Sequence, residues 1–292
     1  WAKVINPFFQ EIAHIPFWAY DPRLPCEKGK RSNALTQTID VPATILDYFD
    51  LSLPYNMQGR PVFGAGDDHN ASREAALFGV MGGHVNVTDG RYVYMRGNVT
   101  KDNRPLFEYT LMPSRMRGMF SPKELTNWEE SAGFGFTKEC KLMKIPSRVP
   151  KMFASKDNPV GAGRMTTMLF DTHADPGQLT PIYDPVLESR MIRLMLREMA
   201  RNESPTEQYV RLGLPEPKIA KGDIYDPMMP SEQAILDACT PEPSEDRKEF
   251  AAGNGIPKMP FPNIPRDKET QSLSFPSNIR LSPTYPFGAD KN

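Results

Sequence analysis

Cysteine is scarce in this chain of 292 residues, and so are histidine, unbroken apolar runs and an excess of either charge. The three cysteines, Cys26, Cys140 and Cys239, are odd in number and far apart. That excludes a disulfide framework and a zinc-ligand spacing, and leaves buried or incidental thiols. No stretch approaches the roughly 18 consecutive apolar residues of a membrane-crossing helix. Lysine and arginine number 35 against 36 acidic residues, a net charge of −1. Neither the basic footprint of a nucleic-acid binder nor a self-repelling polyanion is therefore present. Internal repeats are missing as well, and Trp1 stands where an initiator methionine would. We read the chain as entering its first structural unit mid-domain.

Proline, by contrast, is abundant. Its thirty copies are about twice the usual share, and thirteen of them fall from Pro215 onward. Pro215–Asn292 therefore reads as an extended appendage with one short helical candidate at Ser231–Ala238. Upstream, Ile15-Pro16-Phe17-Trp18-Ala19-Tyr20-Asp21 is almost wholly apolar, which predicts a strand covered on both faces, as in a mainly parallel sheet. The period then changes. Asp40 suits an N-cap and Pro42 the first turn of a helix over Asp40–Phe49, with Ile39, Val41, Ile45, Leu46 and Phe49 as its buried face.

From Glu74 the texture turns to strands. Ala75–Val80 and Arg91–Met95 are β-rich, and Asp89-Gly90 between Val85–Thr88 and Tyr92–Tyr94 is a hairpin signal. Further strands are expected at Leu106–Leu111 and Lys141–Ile145, all in one small antiparallel sheet that needs a helix on one face. Asp184-Pro185 opens that helix, and Leu187, Met191, Leu194, Met195 and Met199 form its core stripe. It stops near Arg201-Asn202, and the turn Asp175-Pro176-Gly177 precedes it.

Several of these segments together resemble the C-terminal half of the sulfatases, in the alkaline-phosphatase-like superfamily. The residues that carry the resemblance are Asp21-Pro22-Arg23, then Gln37-Thr38-Ile39-Asp40-Val41-Pro42-Ala43-Thr44-Ile45-Leu46-Asp47, then Met57-Gln58-Gly59-Arg60. Gly83-His84-Val85-Asn86-Val87-Thr88-Asp89-Gly90-Arg91-Tyr92 and Leu169-Phe170-Asp171 follow in the family's order. The resemblance covers residues 1 to about 214. It implies an α/β fold: residues 1–66 as the end of the sulfatase catalytic sheet domain, 67–214 as a subdomain of four antiparallel strands on a helix, and 215–292 as the Pro-rich tail.

The resemblance also implies chemistry. Such enzymes attack the sulfur of a sulfate ester with a formylglycine made from the cysteine of C-x-P-x-R, beside a Ca2+ ion that polarises the sulfate oxygens. Both lie upstream in the family, so this chain is expected to hold no metal ligands and to be inactive without the upstream half of its polypeptide. Lys3 takes the position of the family lysine that neutralises a sulfate oxygen and assists the leaving group. His84 takes a position near the mouth of the active site, where it would touch a sulfated small molecule or glycan. Cys239-Thr240-Pro241 lacks the arginine of the nucleophile motif, since Pro243 stands there. Asp67-Asp68-His69-Asn70 reads as a solvated loop.

Two other functions fit the same residues. Phosphodiesterases and phosphonate monoester hydrolases of the superfamily share this half, and a non-catalytic glycan- or partner-binding module would use the small sheet and the tail. Under the sulfatase reading, the chain on its own should expose a large apolar face where the upstream sheet belongs, and express poorly. The arginines at 91, 96, 104, 115 and 117 and the cluster Lys28, Lys30, Arg31 either attract an anionic substrate or face water. Sequons at Asn70, Asn86, Asn98 and Asn202 would act only in a secretory setting.

Overall fold

A computed structural model of the chain describes residues 8–23, 29, 31–63, 73–100, 102–115, 118–147, 165–220 and 223–239. Those residues form a mixed α/β structure with antiparallel sheets. Its centre is a four-stranded sheet in the order β1-β2-β3-β9, with β1 at Ala76–Gly79, β2 at Val85–Thr88, β3 at Tyr92–Arg96 and β9 at Met168–Asp171. Thr88 faces Val93 across the hairpin, and Tyr92 faces Asp171 on the other side. The turn is the one that Asp89-Gly90 signals. Asp89 accepts the backbone N–H groups of Arg91 and Tyr92 on its carboxylate, at 3.0 and 2.7 Å. Gly90 takes φ +97°, a region costly for any side chain.

Period-two alternation decides what each face of this sheet buries. Val87, Tyr94 and Leu169 point at the long helix α3, Pro185–Arg201, where Met191, Met195, Leu196 and Met199 complete the core. Each such side chain contributes roughly 1.5–3 kcal/mol of gross transfer energy. Asp184 caps the helix by accepting from the N–H groups of Val186 and Leu187, both at 3.0 Å. On the opposite face Val93, Met95, Met168 and Phe170 form a second core, and Phe9 packs edge-on against Phe170 at 6.2 Å. Phe9 precedes a single helical turn, α1, at Gln10–Ala13.

The expected single small sheet is in fact two. Phe107–Thr110 (β4), Glu129–Ser131 (β7) and Leu142–Pro146 (β8) pair in the order β4-β8-β7 as a separate antiparallel sheet. A short hairpin, β5 at Ser114–Arg115 and β6 at Gly118–Met119, lies beside it in sequence. The reason is competition for an edge. Strand β9 occupies the free side of β3, and the approach to it is so close that a Cβ on Gly97 would fall 1.9 Å from the carbonyl oxygen of Met165.

After α3 come α4 (Thr206–Leu212), the hairpin β10 (Lys218–Ala220) and β11 (Asp223–Met228), and α5 (Glu232–Ala238). The hairpin's β11 and helix α5 pack on α3. Helix α5 falls within the expected Ser231–Ala238 stretch, and Ser231 proves to be its cap, its hydroxyl accepting from the N–H of Ala234. Of the Pro215–Asn292 stretch, these residues up to Cys239 are the described part, and they belong to the core rather than trailing from it.

Two expectations for the N-terminal stretch fail. Ile15–Tyr20 has no regular secondary structure, and its side chains are exposed, Trp18 to 86%. A strand needs a hydrogen-bonded neighbour, and none of the described residues supplies one. The helix over Asp40–Tyr48 (α2) does form, yet Ile39, Val41, Ile45 and Phe49 are turned outward and only Asp40 and Ala43 are buried. Asp40 is not the cap either. It is the first helical residue, and its carboxylate binds inward.

Candidate functional site

The motif segments meet around Asp40. Its carboxylate accepts the N–H of Gln37 at 2.8 Å and that of Arg60 at 2.9 Å, and it forms an ion pair with Arg73. Arg73 also donates to the carbonyl of Gln58 at 3.1 Å. A Cβ on Gly59 would lie 2.0 Å from the carbonyl oxygen of Ile39, so only glycine lets the two segments touch. Arg23 closes the other end of α2. It grips Asp21 at 2.7 Å, reaches the carbonyls of Asp47 and Tyr48 at 3.3 Å and lies over the Tyr48 ring.

His84 follows Gly82-Gly83 in the loop between β1 and β2, and it is only 1% exposed. Its Nε2 lies 2.8 Å from the carbonyl of Thr166 and must donate to it, so Nε2 carries a proton. Burial, aided by the positive charge of Arg211 and opposed by the Thr166 bond, lowers its pKa to about 4. The ring is thus enclosed, while the loop before it borders an open cleft. That cleft, about 460 Å³, is lined by Val80, Met81 and Gly82 on one side and by Phe107, Phe120 and Arg211 on others.

A pH dependence follows. An unfolded histidine binds a proton near pH 6.5, whereas folded His84 resists it to about 4. Its contribution is complete above about pH 6.5 and is lost progressively as pH falls toward 4, by about 3 kcal/mol in all. Urea melts at pH 7 and pH 4.5 should differ by less in His84→Gln than in the parent. An unchanged difference would mean the ring is solvated.

Arg211 went unnoticed in the sequence. It is 1% exposed and donates to Gln208 Oε1 at 3.0 Å, Asn103 Oδ1 at 2.9 Å and the Gly83 carbonyl at 3.2 Å. All three acceptors are neutral, and desolvation lowers its pKa to about 10. Arg96, which the sequence offered as a possible anion attractor, is buried too. It donates to the carbonyls of Leu212, Ala238 and Gly213 and to the Tyr94 hydroxyl, at 2.8–3.0 Å. The other arginines of that group divide. Arg91 pairs with Asp171, and Arg115 with Glu108 and Glu124.

Lys3, Lys28, Lys30 and Asp67-Asp68-His69-Asn70 lie outside the described residues. Among the described residues no group of three or more His, Cys, Asp or Glu side chains could hold a metal ion, and no helix is long and apolar enough to cross a membrane. Cys239 is buried against α3, and burial pushes its thiol up to about 11. Two sequon asparagines, Asn86 and Asn98, are buried, and neither amide atom of Asn86 finds a hydrogen-bond partner among the described residues. No family model, curated protein or solved structure matches the chain.

Proposed function

We propose that this chain is the C-terminal portion of a sulfatase of the alkaline-phosphatase-like superfamily, a sulfuric ester hydrolase whose nucleophile and calcium ligands lie upstream. The observation that carries the reading is a surface. Phe17, Trp18 and Tyr20 stand exposed, as do Ile39, Val41, Ile45 and Phe49 on α2. Ile39, Val41 and Ile45 are motif residues, and a sheet body packed over this face would bury apolar surface that these described residues leave to water. A second support is the small sheet of four antiparallel strands on α3, the subdomain the resemblance implies.

In this reading Lys3 presents a compact cation with three donors to the charge that builds on the sulfate oxygens during attack. The formylglycine would supply covalent catalysis and calcium a Lewis acid. In this reading the calcium ligands lie upstream, and this chain's own part is the cation and a scaffold. His84 serves the scaffold, by anchoring the Gly82-Gly83 loop rather than by touching substrate.

The test is turnover by the complete polypeptide on p-nitrophenyl sulfate and on bis(p-nitrophenyl) phosphate. Hydrolysis of the sulfate supports the assignment. Hydrolysis of the phosphodiester alone moves it to the phosphodiesterases, and turnover of neither leaves a glycan- or partner-binding module. Lys3→Ala should lower turnover of the sulfate by ~10²–10³-fold, the usual effect of losing one oxyanion donor. Unchanged kinetics would remove Lys3 from the site.

A further inference from the structure

The cleft beside Arg211 has a feature that packing alone does not require. A guanidinium held among neutral acceptors keeps its full charge in a poorly solvated place, and such groups are ordinarily matched by an acid. Arg211 Nε and Nη1 are used on Gln208, Asn103 and Gly83, and Nη2 donates to none of the described residues. The cleft it lines has one carboxylate, Glu108, but that group is already held by Arg115 at 2.8 and 2.9 Å and by the Ser147 hydroxyl at 3.3 Å. Arg115 is spent in turn on Glu124 and on the face of Phe120. Arg211 is therefore the lining cation without an acid partner among the described residues. The apolar part of the cleft's lining is Val80, Val85, Leu106, Phe107 and Phe120, with Thr110 and Ser114 as polar neighbours.

We propose that this cleft binds an amphiphilic organic oxyanion, its carboxylate or sulfate head on Arg211 Nη2 and its hydrocarbon body against Phe107 and Phe120. The volume, about 460 Å³, is that of a small-molecule site. A buried guanidinium offers charge-assisted, paired N–H donors to such a head, and the apolar walls reward a body that inorganic sulfate lacks. The Gly82 carbonyl, held by Asn103 at 2.7 Å, and the Gly83 carbonyl, held by Arg211, keep the rim in place before anything enters. The site is independent of the sulfatase assignment, because its residues all lie within the described fold.

The full chain is titrated with octanoate, octyl sulfate, 1-octanol and octyltrimethylammonium, with calorimetry and the amide resonances of Gly82 and Gly83 as readouts. Octanoate or octyl sulfate should bind about ten- to a hundred-fold tighter than octanol, as a charge-assisted head does, and the cation should not bind. Which of the two anions binds better identifies the head group. Arg211→Met should bring octanoate down to the affinity of octanol. Since that variant also loses the ties to Gly83 and Asn103, Val80→Trp provides a second test, filling the cleft while leaving Arg211 intact. It should abolish binding of both anions. Equal affinity for octanoate and octanol, undiminished binding by Val80→Trp, or no binding of either anion at millimolar concentration would each overturn the proposal, whatever the sulfatase assay gives.

Discussion

Asp40→Ala should destabilise the fold by about 3–5 kcal/mol, the loss found when one partner of a buried ion pair is removed. Asp40 is 3% exposed, and the Arg73 side chain facing it is nearly as enclosed. Alanine would leave that guanidinium uncompensated and would free the N–H groups of Gln37 and Arg60. Burial by itself would raise the Asp40 pKa, but Arg73 and the two backbone donors outweigh it and hold the carboxyl below its ordinary value. The contribution is therefore present above the usual carboxylate pKa and is lost as pH falls through the lower, folded value. Asp40→Asn should lose less, since an amide oxygen still accepts from one donor. Urea unfolding at pH 7 measures both. A loss under about 1 kcal/mol for alanine would mean that Arg73 finds water instead.

An effect of similar size is expected for Arg96→Met, again about 3–5 kcal/mol. Four acceptors depend on this one side chain: three backbone carbonyls at residues 212, 213 and 238, and the Tyr94 hydroxyl. That hydroxyl donates in turn to Glu188 at 3.0 Å, so methionine would also remove the cation at the other end of this hydrogen-bonded chain. The damage should also be directional. The bond to Ala238 pins the end of α5, so trypsin or chymotrypsin should cut Arg96→Met within 214–239 before cutting α3. The double variant Arg96→Met/Glu188→Gln should differ from the sum of the two single changes, since both groups hydrogen-bond the Tyr94 hydroxyl. Strict additivity of the two changes would show that the charges do not communicate through Tyr94.

What could be read from the sequence was local. Asp184-Pro185 and the Met191–Met199 spacing located α3, and Asp89-Gly90 located the central hairpin, because caps, turns and stripes act over a few residues. Pairings across long stretches of chain were not legible. Nothing near Met168 says that it lies beside Met95, or that Lys144 will pair with Glu129 in another sheet. Arg96 did carry a signal that could have been used. Alternation places it on the same face as Tyr92 and Tyr94, toward the core, where a charge must find partners. Arg211 offered less: a single arginine between Val210 and Leu212 in a short helix looks like a surface residue until the β1–β2 loop folds over it. The outward face of α2 was misjudged because an apolar stripe says that something covers it, but not which piece of chain.

The junction of α2 with the rest has a consequence for how the molecule comes apart. It is made from polar stitches, Gln37 to the carbonyl of Leu77 at 2.8 Å, Gln58 to that of Arg201 at 3.1 Å, and Arg73 to Asp40, rather than from interdigitated hydrocarbon. Such a seam can part without exposing much oil, so opening it draws little of the heat-capacity change that marks global unfolding. Residues 37–60 should therefore give up their amide protons to solvent before the sheet and α3 do, an order that native-state hydrogen exchange measures.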